Sequence, residues 1–403
     1  MLLKKLNRDW ILEQDNLIKV FRNICTIEDL DFLKIRTSDK VNIEIVNEDI
    51  FIKNAIRQNF IINIDQFAEI NQKKILRKIK NLTSKEIKKL LAISAYNSLL
   101  ADLLNKNKIR AIIYKGVILS LLTKRKKISW PCSDIDLLVE EKDVNLTIKI
   151  LKDYGFKIKY GFFKSKDNTL IEKYYLFSQK ALILSKEIKE LNLILNIDLH
   201  WDIITTCPNM LPFSELWKNR KILNLNGVKI NTLNYYYSYL TLCYNSAKNK
   251  WNNLNNLLDI ALISPRLSNN EKDKLNKIPV IKKTNQVIYF ITKNKKFLFE
   301  KDFEEIDNYK NKHMKSIFRS QFNLINSKNN KKEVNVWRKF PLIIQRINLC
   351  ESLKDKLRQL TINLIPVSLF IDNDNLIRIN PIFVLKKISR KIYIDTTKLI
   401  NKK

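Results

Sequence analysis

Ser129-Trp-Pro-Cys-Ser-Asp-Ile-Asp-Leu-Leu-Val139 sets two aspartates two residues apart at the mouth of an apolar run. Aspartate is a poor strand former, and two like charges on one face repel. On a strand, residues i and i+2 share a face. Asp134 and Asp136 then project together, while Ile135 and Leu137 pack on the opposite side. A divalent cation is the natural compensation, because Mg²⁺ takes carboxylate oxygens together with waters and substrate phosphates. The competing explanation for Asp134 is a turn or helix cap.

Working outward, 109–114 is short, apolar and β-branched, as a buried strand should be. Lys115-Gly116 breaks it, and 117–122 resumes as a helix. A basic loop over 124–130 follows, and Pro131 keeps its predecessor extended. Beyond the 134–139 strand, Asp143 is placed to cap a helix through Leu151 that Gly155 closes in the C′ position. Further strands are expected at 156–160, 173–177 and 181–184. The clearest alternation lies in Leu191-Asn-Leu-Ile-Leu-Asn-Ile-Asp-Leu-His-Trp201. Asp198 sits there without structural excuse, and beside the first strand it would supply the third carboxylate of a two-metal site. A salt bridge at a strand end is its alternative. His200 shares the face of Asp198 and can orient a carboxylate, meet a phosphate, or serve the structure alone.

Residues 1 to about 107 read as helical. Thr83-Ser-Lys-Glu86 forms a capping-box pattern, and Ile87, Leu90, Leu91, Ala95, Leu99 and Leu103 follow at roughly helical spacing. From Leu233 helices dominate again, first over 235–245 and 252–263. The stretch 280–403 is expected to be mostly helical, with an exposed loop over 327–332. Trp201 and Trp251 are expected in the core, and His313 on a charged helix surface. Asp259 either approaches the site from the helical region or forms a surface salt bridge. The expected class is α+β: a small mixed β-sheet core over 108–232, a helical region over 1–107, and a mainly helical region over 233–403.

Composition narrows the chemistry. At 403 residues and 45% apolar content the chain suits two or three domains with a real core. The formal charge is +33, and residues 282–403 carry 27 basic against 11 acidic side chains. That surplus points either to a polyanionic partner or to a general overuse of lysine. Only four glycines occur, Gly116, Gly155, Gly161 and Gly227. This excludes a dinucleotide GxGxxG, a GxxxxGK[ST] loop and a kinase glycine loop. Two histidines exclude a His-rich metal site, and there is no GxSxG elbow. The five cysteines are scattered and never in CxxC spacing, so neither a disulfide framework nor structural zinc is indicated. No apolar run reaches 18 residues and the N-terminus lacks a signal-like stretch, so a cytoplasmic protein without a membrane span is expected. Carboxylate chemistry is what remains.

Tyr114-Lys-Gly116, Ser133-Asp-Ile-Asp-Leu-Leu-Val139, Asp153-Tyr-Gly-Phe156 and Ile197-Asp-Leu-His-Trp201, in that order and spacing, resemble the uncharacterised bacterial nucleotidyltransferase family. That family belongs to the DNA polymerase β-like nucleotidyltransferase superfamily. The stretch from Leu242 to Asp259 resembles its downstream helical segment, and the likeness covers roughly 80–265. The resemblance implies that Asp134, Asp136 and Asp198 hold two Mg²⁺ ions, with Mn²⁺ able to substitute. It implies transfer of a nucleoside monophosphate from a nucleoside triphosphate to a hydroxyl, with release of pyrophosphate and Asp198 as general base. The acceptor would be a small molecule or a protein side chain, with nucleic acid a further partner. Gly116 would open a helix whose amides face the phosphates, with Lys115, His200 and Asp259 as further nucleotide contacts, Lys115 having the alternative of simply facing solvent. Three departures stand out: Gly116-Val117 replaces the superfamily's Gly-Ser, Trp130 replaces a frequent Arg, and Asn245 and Asn249 replace histidines. Arg125, Lys126 or Lys127 is available to take the place of the missing Arg. Two alternatives stay open: a non-catalytic nucleotide- or RNA-binding protein on the same scaffold, and a glycosyltransferase whose DxD holds Mg²⁺ and a nucleotide sugar.

Overall fold

The computed structural model describes residues 2–26, 40–123, 132–159, 180–204, 210–251, 253–292, 347–350, 352–364, 371–372 and 375–376. In chain order the elements are α1 (Leu2–Thr26), β1 (Val41–Asn42), α2 (Glu48–Arg57), α3 (Ile61–Phe67), β2 (Ala68–Glu69), α4 (Lys73–Lys106), β3 (Ala111–Tyr114), α5 (Gly116–Leu122) and β4 (Asp134–Val139). There follow α6 (Val144–Asp153), β5 (Lys157–Ile158), β6 (Ala181–Ile188), β7 (Leu193–His200), α7 (Phe213–Lys218), β8 (Lys221–Leu225) and β9 (Val228–Thr232). Last come α8 (Tyr235–Lys248), α9 (Leu254–Ile263), α10 (Asn269–Asn276), α11 (Pro279–Thr292), α12 (Leu353–Leu364), β10 (Ile371–Asp372) and β11 (Asn375–Leu376). The class is α+β, and its mixed five-stranded sheet runs in the order β3-β4-β7-β6-β5. Among the described residues no helix is long and apolar enough to cross a membrane.

The chain divides into two compact units, 1–136 with 216–325 and 137–215 with 326–403. In the first, α1 packs on α2, α3, α9 and α11 through Leu17, Val20, Phe21 and Ile24, all fully buried. Buried Glu13 is satisfied by the backbone amides of Val46 and Asn47, which donate to its Oε1 at 2.7 and 2.6 Å. The start of α2 is fixed by the Asn47 side chain, which accepts from the Ile50 amide. Asn234 and Asn253 cap α8 and α9 in the same way, and Ser268 with Glu271 forms a capping box on α10. These caps satisfy amides that a helix start leaves without partners. Helices α8 and α11 are tied where the Tyr239 hydroxyl donates to Asn285 and Trp251 Nε1 donates to Thr284 Oγ1. Trp201 and Trp251 are both core residues, as expected.

Two expectations need correcting. Thr83-Ser-Lys-Glu86 does not start a helix: α4 runs unbroken through it. Thr83 is buried mid-helix, and α4 packs on α3 there, so tertiary packing overrides the local cap signal. The buried stripe accordingly holds Leu90, Ile93, Leu100 and Leu104, while Leu91 and Leu99 are exposed. Asp143 makes no side-chain cap bond, because it lies in a 3₁₀ turn over Glu141–Asp143 with nearly helical backbone angles. Within 280–403 the described residues hold α11 and α12 together with the short antiparallel pair β10–β11. The expected strand at 173–177, the loops at 124–130 and 327–332, Trp130 and His313 lie outside the described residues.

The β8–β9 hairpin of the first unit went unread in the sequence, although Asn226-Gly227 between alternating apolar residues is a strong hairpin signal. Both loop residues have positive φ, 54° and 83°, as a type I′ turn requires. The hairpin packs on α4 and β3, and Ser98 Oγ donates to the Leu225 carbonyl at 3.1 Å.

In the second unit, β6 and β7 pair antiparallel over eight residues, from Ala181 opposite His200 to Ile188 opposite Leu193. Alternation buries Leu182 and Leu184 on one strand and Leu195, Ile197 and Leu199 on the other. Helix α6 ends as its spacing predicts. Gly155 takes φ +84°, its amide donates to the Lys152 carbonyl, and the Phe156 amide reaches back to Leu151, the two bonds of a Schellman closure.

Candidate functional site

Strand β3 is apolar and buried at every position, so it leads the chain to Lys115 and Gly116 through the core. Lys115 then adopts φ +62°, ψ −167°, a region almost reserved for glycine that costs a side-chain-bearing residue about 1–3 kcal/mol. Gly116 follows with φ +45°, and a Cβ there would stand 3.1 Å from both Cβ and Sγ of Cys132. The β3–α5 turn is thus pressed against the segment that enters β4, which is why glycine is required at 116. Helix α5 itself is seven residues long, with Val117, Ile118, Leu119, Ser120 and Leu122 buried.

The strained turn delivers a charge. Lys115 Nζ lies 2.7 Å from Asp136 Oδ1, a charge-assisted hydrogen bond, and 4.9 Å above the Tyr114 ring. Cys132 beside it is no nucleophile: burial and the Asp134 carboxylate push its thiol up to about 12, so it stays protonated near neutral pH.

Strand β4 places Asp134 at its partly exposed start and Asp136 one step inward, only 9% exposed. Ile135 and Leu137 are buried, as the two-residue alternation demands. On β7, Asp198 sits opposite Ile183 and buried His200 opposite Ala181. One ligand atom each from Asp136, Asp198 and His200 all lie within 4.8 Å of one another. Two carboxylates and an imidazole at that spacing fit a divalent cation: the oxygens suit Mg²⁺ or Mn²⁺, and the nitrogen suits Mn²⁺ better.

Of the residues singled out in the sequence, Asp136, Asp198 and His200 are therefore grouped, and Lys115 joins them through Asp136. Asp134 and Asp259 are not in the group of three; Asp259 is buried on α9. The ion pair of Lys115 with Asp136 and the place of His200 among the carboxylates were not legible in the sequence. The available signals were the two-residue step from Asp198 to His200 and a lysine directly before a glycine.

A family model described as uncharacterised nucleotidyltransferase matches residues 55–286. Among solved structures the chain is similar to an antigenic nucleotidyltransferase-like protein from Paracoccidioides brasiliensis, at 17% identity and a TM-score of 0.34, covering 51% of this chain and 88% of that one. No curated protein matches.

Proposed function

Because the chain belongs to the uncharacterised nucleotidyltransferase family, whose model spans more than half of it, we propose that it transfers a nucleoside monophosphate from a nucleoside triphosphate to a hydroxyl. The observation that carries this is the grouping of Asp136, Asp198 and His200 within 4.8 Å, with Asp134 at the start of the same strand as Asp136. A divalent cation, Mg²⁺ or Mn²⁺, when bound there offsets triphosphate charge and makes the acceptor hydroxyl more acidic. Asp134, Asp136 and Asp198 are the residues that would hold it, with His200 as a further donor. Asp198 accepts the hydroxyl proton while the acceptor oxygen forms its bond to the α-phosphorus and the bond to pyrophosphate breaks. Cys132 takes no part, since its thiol keeps its proton.

The test is transfer of label from each α-phosphate-labelled nucleoside triphosphate into a cell extract, with Mg²⁺ or Mn²⁺ and purified protein. Alongside runs Asp134→Ala/Asp136→Ala, its fold verified by circular dichroism. Loss of two or more carboxylate ligands is expected to lower transfer by at least about a hundredfold. Equal labelling by a folded double mutant sinks the proposal. Absent transfer, with nucleotide binding indifferent to the aspartates, moves the assignment to a non-catalytic binder.

A further inference from the structure

Lys115 is the one residue of the site held by two independent features, a glycine-type backbone conformation and a 2.7 Å bond from its ammonium to Asp136. Strain of this kind persists only where the surroundings over-determine it. A side chain other than glycine's at this position brings its own penalty, and here, unlike at Lys108 and Lys250, that side chain sets an ammonium against a site carboxylate. Its target is one of the carboxylates grouped with Asp198 and His200. Lysine is a compact point charge on a flexible stem, and here the side chain keeps 26% of its surface open to solvent. It can therefore leave Asp136 without unpacking a core.

We propose that Lys115 is a built-in counter-ion which neutralises Asp136 until a divalent cation arrives, is displaced by that cation, and then pairs with the polyphosphate of the incoming nucleotide. The idea rests on the metal-site reading above and adds to it an exchange between two cations on one carboxylate oxygen. Before metal binds, Asp136 is nine-tenths buried, and a buried carboxylate without a counter-charge is costly. After metal binds, the ammonium is released at the end of β3, one residue before Gly116. No glycine-rich loop is available in this chain to hold phosphates. Lys115 thus has opposite effects on the two ligands: it opposes the metal and favours the nucleotide.

The experiment titrates MnCl₂ alone into the full-length protein, following free Mn²⁺ by electron paramagnetic resonance. It compares wild type with Lys115→Met, Lys115→Gly and Asp136→Asn. Replacing one charged hydrogen bond on a partly open side chain is expected to tighten Mn²⁺ binding about tenfold in both Lys115 variants. The glycine variant relaxes the backbone, so equal shifts in the two exclude strain as the cause. A non-hydrolysable nucleoside triphosphate, titrated at saturating Mn²⁺, is expected to bind about tenfold more weakly to Lys115→Met. Unchanged or weaker Mn²⁺ binding overturns the counter-ion role, and unchanged nucleotide binding overturns the hand-over. If Asp136→Asn binds Mn²⁺ as wild type does, the ion sits elsewhere and the metal-site reading fails, a result separable from failure of the Lys115 exchange alone.

Discussion

Gly116 shows how little freedom the site leaves a single residue. Its φ of +45° and the 3.1 Å approach to Cys132 mean that a methyl group there meets strain and an obstructing thiol together. Gly116→Ala is expected to destabilise the fold by about 1–3 kcal/mol, measured as a lower urea midpoint at unchanged slope. An unchanged midpoint would mean that Cys132 yields freely. At this scale the sequence was informative where one rule sufficed. The two-residue period of a strand placed Asp134 and Asp136 on one face, and Asp198 with His200 on another. It was silent where geometry depends on distant chain segments. Nothing local says that Lys115 reaches a carboxylate 21 positions on, nor that a histidine two residues past Asp198 joins that aspartate and Asp136.

At the level of elements, α4 is the instructive case. A capping box is a local signal, and α4 runs through one because Thr83 is buried where α4 packs on α3. On α3, Asp65 is half-buried, and burial raises its carboxyl above the ordinary value despite the nearby lysines Lys80 and Lys40. Ionised Asp65 therefore weakens the folded state above the raised folded-state value, and the penalty vanishes below the unfolded value where both states are protonated. Asp65→Asn is expected to raise Tm at neutral pH, with the gain fading as the pH falls through the acid range. A Tm gain that is constant with pH would point to helix propensity instead. Strand β4 was legible to the residue because an apolar run with polar punctuation admits no other period. The β8–β9 hairpin carries its signal too, in Asn226-Gly227, but each strand has only five residues, a weak periodic pattern beside the helices around it.

For the whole chain the dominant number is a formal charge of +33. A surplus of that size makes association with polyanions sensitive to salt through counterion release. Binding of single-stranded RNA is expected to weaken steeply between about 50 and 200 mM salt, with Asp134→Ala/Asp136→Ala behaving as wild type. A salt-independent affinity would mean specific recognition rather than general charge. The α+β class followed from periodicity and the spacing of motifs, whereas of the order β3-β4-β7-β6-β5 only the neighbourhood of the Asp136 and Asp198 strands was weighed there. The boundaries of the units did not, because they depend on packing between segments far apart in sequence.

The left-handed turns of this chain carry a further consequence. Among the described residues eight non-glycine positions have positive φ, and seven of them are lysine or asparagine, in a protein with only four glycines. Glycine codons begin with two guanines, whereas those of lysine and asparagine begin with two adenines. An adenine-rich gene writes the latter pair into turns where another genome would write glycine. Drift toward higher G+C content would open glycine at Asn59, Lys108, Asn192 and Lys250 and relax them at little loss, whereas Lys180 is buried and pairs with Glu141 at 3.1 Å. Lys115 is the position where the same codon change would remove a working charge, so it is where selection and mutational bias would part.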